Sequence, residues 1–270
     1  MEKLIDVEML NSAHAILLKD DSQDAATAGM LRDFQNWLEG GNTAPVNASY
    51  IPPESSQVVD LIDDLLAFSN RNDLHPVVKA AIAHAQFESI HPYADGNGRI
   101  GRGLVTSILI KAGLTETTVV PLAAALLGAR GAYIDALTKF RDGDAEPIVN
   151  VIANGLLVAA SVGVEMISEL ALIPATLRNA HALNGTMIAA RITDLFLRHT
   201  AISAEMVADE LGVSLQSALN ALGRLQDLEV VTEITGRKRE RYWICPEITD
   251  LLANYADKVA LVMNERNFAK

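Results

Sequence analysis

Apolar residues recur every three to four positions through most of the first 180 residues, and strand-like alternation is scarce there. The pattern predicts helices over residues 7–19, 25–38, 55–70, 75–90, 99–112, 121–128, 132–141 and 147–172, with Gly40-Gly41 closing the second. Between them, residues 42–53 are rich in Asn, Pro and small side chains and hold one short strand-like run, Ala48-Ser49-Tyr50-Ile51. The expected architecture is mainly α, a helical bundle with a small β-hairpin flap.

Pro174 follows the long helix and opens a more polar stretch that reads as a linker over 174–185. The expected division is therefore 1–173, linker, and 186–270. In the last part a helix over 186–198 precedes Ser203, which suits the cap of a helix over 204–211. Gly212 then turns the chain, and Ser214 opens a second helix through 228. Strand-like runs at 230–234 and 241–244 follow, then a terminal helix over 246–270. Helix, turn, helix and a basic-tipped hairpin make the pattern of a winged helix-turn-helix, an α domain with a two-stranded wing. The wing carries Arg237, Lys238, Arg239 and Arg241 as candidate DNA contacts. The second helix holds only Arg224, with Gln216, Asn220 and Gln226, so DNA binding and a protein-contact or dimerisation role are both open.

Half of the 270 residues are hydrophobic and 21% are charged, enough for a substantial core. A net charge of −12 argues against a chain-wide nucleic-acid or anionic-membrane surface. The single Cys245 excludes an internal disulfide framework and fits a reducing, cytoplasmic setting, and no signal peptide is evident at the start. Residues 148–164 carry no formal charge. Asn150, Asn154 and the capping Asp144 favour a buried central helix over a membrane span.

The chemistry concentrates in residues 91–102, His-Pro-Tyr-Ala-Asp-Gly-Asn-Gly-Arg-Ile-Gly-Arg. His91 can accept a proton near neutral pH. Pro92 turns the chain. Asp95 is a hard oxygen ligand suited to Mg²⁺ shared with phosphate. Gly96 and Gly98 allow backbone N–H groups to form an anion nest at a helix N-terminus. Arg99 and Arg102, three apart, share a helical face and can fork onto phosphate oxygens. Two rival motifs are weaker. Residues 96–101 satisfy G-x-G-x-x-G, with Glu116 about twenty residues on, but they follow an alanine-rich helical stretch rather than a strand. His84, Glu88 and His91 lie on one helical face as metal ligands might, yet Pro92 ends that helix and no fourth ligand is evident. His84 and Glu88 are better read as buried residues bracing the loop.

The 91–102 segment resembles the signature of the Fic family, His-Pro-Phe-x-Asp-Gly-Asn-Gly-Arg-x-x-Arg, with Tyr93 where Phe is commoner. Phe34-Gln35-Asn36-Trp37, Tyr50-Ile51-Pro52-Pro53 and Phe87-Glu88-Ser89-Ile90 are similar to that family's segments before the motif. Ala132-Tyr133 resembles the segment after it, with Ile134 replacing a second aromatic. The resemblance implies a Fic-type bundle that transfers AMP from ATP to a Ser, Thr or Tyr hydroxyl of a target protein or of itself. It implies His91 as base and Asp95 as the Mg²⁺ ligand. It also implies Gly96, Asn97, Gly98, Arg99, Arg102 and Tyr133 at the nucleotide, and Ala48, Ser49, Tyr50 and Ile51 as a flap aligning the target. Some relatives transfer other phosphate-containing groups or remove AMP, and homodimers are common among them. The alternative class is a nucleotide-sensing DNA-binding regulator, against which the intact His91, Asp95 and Arg102 argue. No segment matches the family's inhibitory Ser/Thr-x-x-x-Glu-Gly/Asn helix. The resemblance therefore implies a chain that starts downstream of it, or an inhibitory partner protein, and an Arg102 free for phosphate.

Overall fold

The computed structural model describes residues 4–21, 24–39, 44–116, 120–183, 187–237 and 240–268. They divide into two compact units, Met1–Ala159 with Ala260–Lys270, and Ala160–Val259. The expected boundary at 174–185 differs from this division.

The first unit is a helical bundle. Asp6 caps α1 (Val7–Leu18) by accepting the Met9 N–H at 2.8 Å, and Leu10, His14 and Leu18 form its buried stripe. α2 (Val58–Ser69) buries Val58, Ile62, Leu65 and Leu66, the spacing of an amphipathic helix. α3 (Pro76–Ile90) begins with proline, which has no N–H to leave unpaired there, and buries Ala80, Ala81, Ala83, Ala85 and Phe87. Its small side chains let α4 (Asn97–Lys111) approach so closely that a Cβ on Gly101 would lie 2.7 Å from the Glu88 carboxylate. The motif loop is the connection between these two helices, so their packing sets its geometry. α5 (Leu122–Gly128) and α6 (Arg130–Arg141) follow. The early turns of α7 (Glu146–Ala180) seat Gly155 against Leu122 and Ala125.

Two helical expectations fail here. Residues 25–38 hold only a 3-10 turn at Ala25–Thr27, and the chain beyond is irregular. Gly29, at φ +79°, passes tightly over Asn11 and Ala15, and tertiary partners take the backbone groups that a helix would have used. The closing Gly40-Gly41 lies outside the described residues. α7, expected to end near 172 and to be buried, runs through Pro174 to Ala180, and only 22% of its most apolar stretch is buried. Ile148 and Ile152 are buried, whereas Leu157, Val164, Ile167 and Leu172 are exposed. An internal proline costs about 3 kcal/mol. Burial of Leu177 and the Arg178–Asp194 ion pair at 2.6 Å stabilise the turns beyond it. By length and composition α7 is long and apolar enough to cross a membrane.

The second unit follows the predicted pattern closely. α8 (Ile188–Leu195) precedes α9 (Ala204–Leu211), capped by Ser203, and α10 (Leu215–Asp227), capped by Ser214, with Gly212 left-handed at φ +64° between them. The wing strands β2 (Thr232–Glu233) and β3 (Tyr242–Ile244) gain a third partner in β1 (Ile202–Ser203), in the antiparallel order β1-β3-β2. Trp243 pairs with Ile202, is 1% exposed, and donates its indole N–H to Gln226 at 2.9 Å. α11 (Pro246–Phe268) follows β3.

Candidate active site

α3 stops at His91, whose backbone is left-handed (φ 50°, ψ 60°) and whose N–H still reaches the Phe87 carbonyl at 2.9 Å. Pro92 prevents any return to helix. The loop re-enters helix at Gly96, left-handed at φ 76°, whose carbonyl accepts the Arg99 and Ile100 N–H groups at 3.0 Å. The next N–H groups, of Asn97 and Gly98, lie in the first turn of α4, where no intrahelical acceptor exists. Anion affinity at this point follows from those donors and the helix dipole. The side chain of Asn97 faces the other way. Its Oδ1 accepts the Tyr93 N–H and its Nδ2 donates to the Tyr93 carbonyl, both at 2.9 Å, which locks the loop. Only the Asn97 main chain is left for a ligand.

Distant side chains hold this loop from behind. Buried Arg32 donates to the carbonyls of His91 (2.9 Å), Phe34 (2.9 Å), Pro53 (2.5 Å) and Ile90 (3.3 Å). Its own N–H reaches the Pro92 carbonyl at 2.8 Å. His14 accepts the Gly29 N–H at Nδ1 (2.8 Å), so its Nε2 carries the proton donated to the Asp95 carbonyl at 3.0 Å. Its ring stacks on Tyr93 at 3.9 Å. The Tyr93 hydroxyl, the difference from a phenylalanine, donates to Asn11 at 2.9 Å. None of Arg32, His14 and Asn11 was singled out from the sequence. His14 alone left a signal there, as a histidine at a core position of α1.

The charged groups divide into paired and unpaired sets. Burial above all pushes His91 down to about 4, with Arg32 and Arg141 acting in the same direction against Asp95 and the Glu88 main chain. Asp95 is half exposed and paired with Arg99 at 2.6 Å. Arg102 has no ion pair among the described residues, and Gly98 gives its guanidinium room: a Cβ there would sit 3.1 Å from Nη1. Deeper in, His84 Nε2 and the Tyr133 hydroxyl are 2.9 Å apart. Burial lowers His84 to about 4 and raises Tyr133. Glu88, 8% exposed, is raised to about 7 by burial against the opposing fields of Arg102 and Arg141.

The metal alternative for His84, Glu88 and His91 is not realised. No group of three such side chains is placed to hold an ion among the described residues. Asp95 offers one exposed carboxylate, which suits a Mg²⁺ ion that takes its other ligands from phosphate and water.

The expected flap exists in reduced form. Leu38 and Tyr50 make one antiparallel bridge, with Leu38 N–H to Tyr50 carbonyl and Ser49 N–H to Leu38 carbonyl at 2.9 Å. The Tyr50 hydroxyl donates to the Ser89 carbonyl at 2.9 Å, which places the flap beside the end of α3. Ala48 is partly buried, while Ser49 and Ile51 are exposed. The site thus brings together His91, Asp95, the first turn of α4, Arg102 and the flap, with Tyr133 bonded to His84 behind them.

Residues 4–109 match the family model described as Fic/DOC family. The chain carries a Fic/DOC-family domain. Its Fic part is similar to "Protein adenylyltransferase fic-1" of Caenorhabditis elegans, 29% identical over 48% of this chain. It is also similar to "Protein adenylyltransferase Fic" of Drosophila grimshawi, 32% identical over 43% of this chain. The matched stretches span 23% and 24% of those relatives' own lengths, about a quarter. Among solved structures, a Fic family protein from Desulfovibrio desulfuricans G20 covers 89% of this chain and 68% of its own, with a TM-score of 0.51 at 23% identity, a likeness of fold.

Residues 190–244 match the model described as HTH DNA binding domain, so a helix-turn-helix domain accompanies the Fic domain. On α10, Gln216 and Asn220 are exposed and hydrogen-bonded to each other at 2.9 Å, while Gln226 is committed to Trp243. Arg237 is exposed, and Arg241 lies 4.6 Å over the Trp243 ring and 4.0 Å from Glu233. Lys238 and Arg239 lie outside the described residues.

Proposed function

We propose that the chain is a protein adenylyltransferase that moves AMP from ATP to a hydroxyl of a target protein or of itself. One observation carries the reading: a histidine kept neutral by burial stands at the mouth of a helix N-terminus whose nearby Arg102 has no carboxylate partner among the described residues. In this reading the target hydroxyl oxygen attacks the α-phosphorus and the bond to the β-phosphate bridge oxygen breaks. Pyrophosphate leaves, and His91 takes the hydroxyl proton. The N–H groups of Asn97 and Gly98 meet the charge that develops on the α-phosphoryl oxygens. Arg102 grips the distal phosphates. Asp95 would hold Mg²⁺, which supplies charge neutralisation on the polyphosphate. Arg99 then serves double duty, orienting Asp95 and adding positive charge. The exposed edge of the flap at Ser49 and Ile51 aligns the target by strand addition, which reads backbone more than side chains.

Incubation of the purified chain with ATP labelled at the α-phosphate tests this. Covalent label that survives denaturation is the expected result. Nucleotide retained reversibly, with no covalent label on the chain or on lysate proteins, points to a nucleotide sensor. A second reading joins the first, because the helix-turn-helix match favours it: the C-terminal unit binds DNA and gives the enzyme a regulatory partner.

A further inference from the structure

Arg141 ends α6 and belongs to no motif. Its guanidinium carbon lies 3.5 Å from the centroid of the Tyr50 ring, so it sits against the flap. Among the described residues its buried Nε has no hydrogen-bond partner and its guanidinium makes no ion pair. Arg32 shows the contrast: that buried guanidinium is met by four carbonyl oxygens. A guanidinium held partly out of water without acceptors is costly unless a ligand supplies them. The field of Arg141 reaches His91, Glu88 and Tyr133, and Arg102 acts on the latter two. Two cations without ion-pair partners therefore share one neighbourhood beside the candidate base. Glu88 does not neutralise them. Its carboxylate forms no ion pair with either, and its Oε1 is itself unpartnered.

We propose that Arg141 is a phosphate-binding residue of this site, forking onto a phosphoryl group of the bound nucleotide beside His91. A planar guanidinium suits that task, because two of its N–H groups can meet two phosphoryl oxygens at once. The Tyr50 ring holds the fork in place from the flap side. The proposal rests on the nucleotide reading above and adds a third arginine to it.

Calorimetric titration of the full chain with ATP and with adenosine tests it, using wild type, Arg141→Gln and Arg141→Lys. Arg141→Gln should weaken ATP by about tenfold or more, the loss expected for a charge-assisted contact, and leave adenosine within about twofold. Arg141→Lys keeps the charge but loses the fork, so it should fall between the two, and it carries the test alone where the glutamine variant does not fold. ATP affinity at the wild-type level in every variant that folds overturns the proposal. So does an equal loss of ATP and adenosine, which would mark Arg141 as a purely structural support of the pocket. A wild-type chain that binds no ATP overturns the nucleotide reading itself, a result distinct from either of these.

Discussion

The proposed role of His91 as base depends on its position at the end of α3. The left-handed backbone turns its ring out of the helix, and burial among Arg32 and Arg141 disfavours the charged imidazolium. His91→Ala should therefore cut covalent labelling by about 10²–10⁴-fold, the usual worth of a general base, while ATP binding stays near wild type. Labelling within a few-fold of wild type would remove His91 from its role. The sign of the pH effect follows from the same burial. Only the neutral ring accepts a proton, so activity is lost as pH falls through the pKa. With His91 down to about 4, the acidic limb assigned to it should lie near that value. A limb near about 6.5, the value of an ordinary histidine, measured in initial labelling rates, would contradict this. At this scale the sequence shows what is contiguous. The candidate base, carboxylate, glycines and arginines of 91–102 are legible because twelve adjacent residues carry them. The partners that hold the loop are not, because Arg32 reaches His91 across 59 positions and His14 reaches Asp95 across 81. The side chain of Asn97 is spent on the Tyr93 backbone, a four-residue loop closure that composition does not reveal, and this leaves its main-chain N–H as the group that can meet a ligand.

Elements are legible where local chemistry ends them. Ser203, Ser214, Gly212 and the prolines opening α3 and α11 mark their boundaries correctly, since a cap or a missing N–H acts within one turn. The failures are long-range. Residues 25–38 have helical composition, but their backbone groups find partners on α1 and the motif loop. β1 has only two residues, too few for alternation to register. Gly101 shows the same dependence on tertiary context. On sequence it counts toward a phosphate fingerprint, whereas in the structure it lets α4 pack tightly against Glu88, His84 and Phe87 of α3. Gly101→Ala should therefore destabilise by about 1–3 kcal/mol, as overpacking does, because the new methyl meets Glu88 and His84 of α3. Urea unfolding gives the check: a lowered midpoint at unchanged slope is expected, and an unaltered midpoint would mean the helices part without cost. Gly103, with open space around it, is the control, since alanine there should raise helix propensity with no clash.

For the whole molecule the decisive quantity is charge. The chain carries −12, so any DNA contact must come from a local basic surface working against a repulsive total. The wing is the candidate for that surface, and its described cations, Arg237 and Arg241, are not equivalent. Arg241 leans on Trp243 and faces Glu233, whereas Arg237 is exposed and has no ion pair among the described residues. Each phosphate contact contributes close to one unit to the slope of log affinity against log salt. Neutralising Arg237, Lys238 and Arg239 together should flatten that slope by about three units and weaken all DNA sequences alike. Neutralising Arg241 alone should move the slope little and instead lower stability, because the cation over the Trp243 ring is lost. Fluorescence anisotropy of a labelled duplex across a salt series separates these effects. Should no duplex bind even at low salt, the wing would be a protein-contact surface, and the exposed Gln216 and Asn220 of α10 would face a protein rather than base edges.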